Sequence, residues 1–200
     1  RLLALASPVN PLRNDRMYSL ISELPEYQAW LDNSSPQILY LHGSHRAREA
    51  AEQVFYALES ETERVRRRAR VLYFSFDRWD VRCDSIRDMI ATFLTQIANH
   101  YPKLGNNMDR LFAQLNSERG WTETDLIQFF ERFRTSDEVE QTMIVINHFD
   151  ECTKGSRKRF LDNIIYKNQN DESPWKIVVT SHKPGALSEE LSGPFCVPID

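Results

Sequence analysis

The strongest constraint on this chain is a series of short, almost wholly apolar runs, each followed by a segment with helical periodicity. QILYLHG at 37–43, VLYFSF at 71–76, TMIVIN at 142–147 and WKIVVTS at 175–181 are the clear ones, and FCVPI at 195–199 is a fifth candidate. A strand open to water on one side alternates polar and apolar residues, whereas one apolar throughout is covered on both faces. Parallel neighbours need long crossovers, which the intervening helical segments supply. The pattern predicts an α/β chain: a three-layer fold with a mainly parallel five-stranded sheet flanked by helices.

RAREAAEQVFYALESE at 46–61 places Ala47, Ala50, Ala51, Val54, Phe55 and Leu58 on one helical face, and Ile86, Met89, Ile90, Phe93, Leu94 and Ile97 make a second such face. Further helices are expected around 107–116, 123–134 and 156–168, and DRWDVRCD at 77–84 reads as a turn. The first 35 residues form an irregular lead-in that packs on the core, broken by Pro8, Pro11 and Pro25, with a short helix at 26–32 and a turn at 33–36. The core domain is assigned to 36–200.

Composition narrows the function classes. The chain is 41% hydrophobic and 27% charged with a net charge of −4, so nothing in its electrostatics favours nucleic acid or an anionic membrane. The run RVRRRAR at 64–70 has two readings, a patch for nucleic acid or an acidic partner, or the solvated C-terminal end of a helix. The second suits the overall acidity and the lack of interleaved aromatics. Cys83, Cys152 and Cys196 are an odd count with no CxxC pair, which argues against a disulfide framework or a zinc site and for a reducing, intracellular, cytoplasmic setting. No apolar run reaches the roughly 20 residues of a membrane span. The chain starts at Arg1, and it is read as a piece of a longer protein.

Parallel sheets bind ligands beyond the carboxyl ends of their strands, so the chemistry is sought after positions 42, 76, 147 and 180. After the first strand the chain reads LHGSHRAREA. A working phosphate loop is GxxxxGK[ST]: glycines let backbone N–H groups wrap the phosphates, lysine reaches the terminal phosphates, and the hydroxyl holds magnesium. Starting at Gly43, that pattern meets Ser44, His45 and Arg46, then Arg48 in the second glycine slot, Glu49 in the lysine slot and Ala50 in the hydroxyl slot. The third strand ends INHFDEC, with Asn147 leading and Asp150 and Glu151 behind it; the fourth ends in Thr180, Ser181 and His182.

Taken together, PEYQAWLDNSSPQILYLHG, YFSFDRWDVRCDSIRDMIATFLTQI, INHFDEC and KIVVTSHKP resemble the NACHT-type P-loop domain of the STAND signalling ATPases, in the fungal subgroup with a nephrocystin-like N-terminal domain. The resemblance covers nearly the full length. It implies a P-loop fold, an intracellular signalling role, and nucleotide exchange that switches a resting monomer to an oligomer. Family members usually carry an intact GxxxxGK[ST], an Asp where this chain has Asn147 and an Arg where it has His182.

The departures weigh against tight magnesium-ATP binding. At an effective dielectric of about 20, two charges about 4 Å apart interact by about 4 kcal/mol, so Glu for Lys swings roughly 8 kcal/mol before relaxation. Micromolar affinity is worth only about 8 kcal/mol in total. The loop also has a purely structural reading, in which Ser44 caps the next helix and Glu49 meets the positive end of its dipole.

The expectation is therefore a vestigial nucleotide site at Gly43, Ser44, His45, Arg46, Arg48, Glu49, Ala50, Asn147, Asp150, Glu151 and His182, with no catalytic residue, metal or cofactor. The spacing of His45, His148 and His182 matches no metal-ligand pattern. Expected partners are proteins or neighbouring domains of the same chain, a homo-oligomer included. Trp79 in the DRWD turn is the candidate contact. The alternative is a weak ATP-binding sensor or slow ATPase, with magnesium, rebuilt around Arg46, Arg48, Asp150 and Glu151.

Overall fold

The computed structural model describes residues 15–32, 38–43, 46–64, 70–101, 121–134, 142–166, 175–182 and 196–199. The apolar runs become strands β1 Ile38–His42, β2 Arg70–Ser75, β3 Thr142–Asn147, β4 Lys176–Ser181 and β5 Cys196–Pro198. They form one five-stranded sheet in the order β2-β3-β4-β1-β5, and every recorded pairing is parallel. All six residues of β3 and all six of β4 are buried, as expected for central strands covered on both faces.

The helices are α1 Asp15–Ser22, α2 Pro25–Asp32, α3 Arg46–Arg64, α4 Ile86–His100, α5 Glu123–Arg134 and α6 Lys154–Phe160. Alternate strand residues feed two separate cores. Leu39, Leu41, Val145 and Val178 pack with α1, α2 and α3, through Ile21, Trp30, Ala50, Ala51 and Val54. Tyr40, Ile144, Ile146, Ile177 and Val179 pack on the opposite face with α4, α5 and α6, through Phe93, Phe130 and Phe160. The result is three layers: helices, sheet, helices.

Local signals set several helix ends. Ser85 precedes α4 with extended backbone and accepts a hydrogen bond from the Asp88 N–H, a side-chain N-cap. Before α5, the Thr122 N–H donates to Asp125 and the Asp125 N–H donates back to the Thr122 hydroxyl, a reciprocal capping box. At the other end of α2, the buried Lys176 ammonium donates to the carbonyl oxygens of Trp30 and Leu31 and lies 5.5 Å from the Trp30 ring centre. The β2 edge is closed from α4: Gln96 accepts from the Tyr73 N–H at 3.0 Å and donates to the Tyr73 carbonyl at 2.7 Å. A side chain that satisfies both groups of an edge peptide removes a site for unwanted strand pairing.

Three expectations change. The lead-in is not irregular throughout, since Asp15–Ser22 is helical and buries Ile21. Arg70 does not end a helix but opens β2, with its guanidinium 5.9 Å from the Tyr101 ring centre; α3 ends at Arg64, and 65–69 lie outside the described residues. The helix expected over 156–168 is α6 followed by a π-helical turn over Leu161–Ile165. The expected turn at 33–36 and helix at 107–116 also lie outside the described residues. Among the described residues, no helix is long and apolar enough to cross a membrane.

Candidate functional site

The chain leaves β1 through α3 on one face of the sheet and leaves β3 through α6 on the other, with β4 between these strands. Strands whose connections part to opposite faces leave a crevice at their carboxyl ends, the usual ligand position in such sheets. The end of β1, the segment 147–152 and the end of β4 all border this point.

Asn147 sits at the centre of a polar network and is fully buried. Its Nδ2 donates to the Tyr73 hydroxyl at 3.2 Å, and its Oδ1 accepts from the Thr180 hydroxyl at 2.6 Å. The same Thr180 oxygen accepts the His148 N–H at 3.3 Å. The network therefore stitches β2, β3 and β4 together. A neutral amide suits the place, because it donates and accepts at once without the desolvation cost of a buried charge.

His148 adopts a left-handed conformation, with φ 55° and ψ 44°. This geometry, which for a residue with a Cβ costs on the order of 1–3 kcal/mol, turns the chain from β3 straight into a short 3₁₀ turn, Phe149–Glu151. His148 stacks on His182, with ring centres 4.5 Å apart. Asp150 Oδ1 accepts the His182 N–H at 3.0 Å and lies 3.7 Å from His182 Nδ1. Glu151 Oε2 accepts the Arg78 N–H at 3.2 Å. Arg157 on α6 donates to the carbonyl oxygens of Asp150 and Cys152, holding the turn from beneath. Beside them burial pushes the Tyr40 phenol up, opposed by its hydrogen bond with Ser181. Burial likewise pushes the Cys152 thiol up to about 12, so it stays protonated and unreactive.

The β1–α3 connection is short. Only residues 44 and 45 separate Gly43 from Arg46, the first residue of α3; Ser44 and His45, including the expected Ser44 cap, lie outside the described residues. In an α-helix, N–H groups beyond the first four bond to carbonyls within it, so from Ala50 onward they are not available to wrap a phosphate. Glu49 stands exposed in the first turn of α3, as its structural reading anticipates. Ala50 is fully buried in the core and offers no hydroxyl toward the strand ends. Arg46 is exposed, and the Arg48 side chain lies outside the described residues.

Gly43 is buried and bound on both sides. Its N–H donates to the Ser181 carbonyl at 3.2 Å, and the neighbouring His42 carbonyl accepts the Ile199 N–H at 2.6 Å. A Cβ at residue 43 would overlap the Ile199 backbone carbonyl, coming within 2.8 Å of its carbon. Glycine is thus required here by close approach of the chain's own backbone.

The structure brings together Gly43, Asn147, Asp150, Glu151 and His182, and adds Tyr73, Arg78, Arg157 and Ile199, which sequence reasoning missed. Tyr73 and Arg157 carry no spacing signal, because their roles depend on strand order and on how α6 crosses the sheet. Arg78 contributes only its backbone N–H, which any residue would supply. Among the described residues, no three His, Cys, Asp or Glu side chains form a group able to hold a metal ion.

No curated protein matches the chain. The family model described as nephrocystin 3, N-terminal, matches residues 17–182, a span that runs from α1 to the end of the strand-end crevice. The chain belongs to this nephrocystin 3 N-terminal family.

Proposed function

We propose that this chain is a non-catalytic NACHT-like module, with a P-loop-like framework and no phosphate chemistry, serving as a scaffold or regulatory domain of a larger intracellular protein. Membership of a family named for an N-terminal region supports its being a domain of a larger protein. The observation that carries the non-catalytic reading is Asn147: in the place of the leading acid stands a fully buried amide whose two polar atoms bond to Tyr73 and Thr180. The acids behind it are engaged as well, Asp150 by the His182 backbone and Glu151 by that of Arg78. What a nucleotide and its metal would do in an ATPase, joining the strand ends across the crevice, these residues do for one another.

Switching, on this reading, is driven by contacts with protein partners, neighbouring domains or a second copy. Isothermal calorimetry with ATP and with ADP, each with magnesium, is the test. The expected result is no binding at micromolar concentrations and no shift of melting temperature at millimolar nucleotide, since a ligand selective for the native state raises apparent stability. A dissociation constant of a few micromolar or tighter would instead establish a rebuilt site using Arg46, Arg48, Asp150 and Glu151.

A further inference from the structure

Trp79 and Val81 are 88% and 81% exposed, while the loop that presents them is held firmly. The Asp77 N–H donates to the Cys83 carbonyl, the Asp80 N–H to the Asp77 carbonyl and the Cys83 N–H to the Asp80 carbonyl. The Trp79 N–H is taken by the Asp77 carboxylate at 2.9 Å, and Arg82 pairs with Asp80 at 2.6 Å. Two large apolar side chains are thus displayed on a pre-ordered tip in which Asp80 and Arg82 already satisfy each other. Docking such a tip orders little that is not ordered already and leaves the Asp80–Arg82 pair intact. Trp is also the residue type most enriched among interface anchors.

The loop is wired to the strand-end crevice. The Arg78 N–H donates to Glu151, and the Thr153 N–H donates to the Asp84 carbonyl at 3.0 Å, so both ends of the loop hold the segment that follows β3. The size of the patch identifies the occupant. A Trp and a Val side chain offer on the order of 300 Å², well short of the roughly 800 Å² per partner in a free-standing complex. A contact this small is stable when a tether raises the effective concentration of its partner.

We infer that the Trp79–Val81 tip inserts into an apolar cleft on a neighbouring domain of the same polypeptide, and that this contact couples that domain to the crevice through Glu151 and Thr153. The inference rests on the chain being a domain of a larger protein, and not on the loss of nucleotide chemistry.

Hydroxyl-radical footprinting of the full-length polypeptide, read by mass spectrometry at single residues, tests it. Trp79 is expected to react about tenfold more slowly than in the same polypeptide unfolded in urea, with no change on tenfold dilution. In Val81→Asp, Trp79 regains the unfolded rate while the core residues Trp30 and Trp175 stay protected, which shows that the fold is intact. Fast reaction of Trp79 in the parent polypeptide overturns the inference. So does protection that fades on dilution, the mark of a partner in trans or a second copy, or protection that survives Val81→Asp. Tight nucleotide binding would remove the non-catalytic reading and leave this result standing, whereas a freely reacting Trp79 does the reverse.

Discussion

Gly43 and Ile199 meet backbone to backbone: residue 43 has no room for a Cβ because the Ile199 carbonyl occupies that space, while the Ile199 N–H bonds to the carbonyl of His42. The glycine that opens a phosphate-loop pattern in the sequence is, in the fold, the seat for the chain that follows β5.

Gly43→Ala is therefore expected to destabilise the domain, because the atom it meets is backbone and cannot swing aside. A loss of at least about 2 kcal/mol is expected from forced backbone movement, read as a lowered midpoint in urea. A midpoint within error of the parent would show that the contact with Ile199 is not tight.

Thr180→Val keeps the shape of the side chain and removes the hydroxyl shared by Asn147 and His148. Two buried polar groups lose their partner, at about 1–3 kcal/mol each. Because His148 stacks on His182, the same change is expected to perturb both imidazole signals in NMR spectra, although the substitution touches neither ring.

Stability is expected to fall at alkaline pH. Cys152 ionises near pH 8.5 in an unfolded chain but is held up to about 12 by burial, so above pH 8.5 the unfolded state loses its proton first. Stability contributed by the protonated thiol is present below that value and is lost as pH rises toward 12, by up to about 1.4 kcal/mol per pH unit. Tyr40, also raised by burial, adds the same sign of effect above pH 10. Urea titrations between pH 8 and 10.5 should show a shallower decline in Cys152→Ala than in the parent.

Lys176→Met retains the apolar stem and deletes the ammonium that joins β4 to the carbonyls ending α2. A loss of about 1–3 kcal/mol is expected from the orphaned carbonyls. Hydrogen exchange should quicken in α1 and α2 before it does in the sheet. Equal quickening in β3 and β4 would mean that Lys176 supports the sheet itself.

Much of the architecture was legible in the residues. TMIVIN is β3 residue for residue, and the helix expected over 123–134 is α5 with the same bounds. Helix α1 was missed although Met17, Leu20 and Ile21 in DRMYSLIS fall at helical spacing: it is only eight residues long, too short to stand alone, and Ile21 packs into the core shared with α2 and α3. The left-handed turn at His148 was equally hidden: a non-glycine residue takes such a conformation when its surroundings hold it there, here Thr180 on β4 and His182 just beyond that strand's end.

The sequence by itself determined which segments are strands, that the sheet is covered on both faces, and which residues stand at the strand ends, since continuous apolar runs and helical periodicity are local properties. Only the tertiary structure decided what those strand-end residues do. That Asn147 bonds to Tyr73 and Thr180, that Asp150 is held by His182, and that Gly43 faces Ile199 follow from the order β2-β3-β4-β1-β5. Hydrogen bonds between residues 32 to 74 positions apart depend on which strands become neighbours, and no local spacing encodes that.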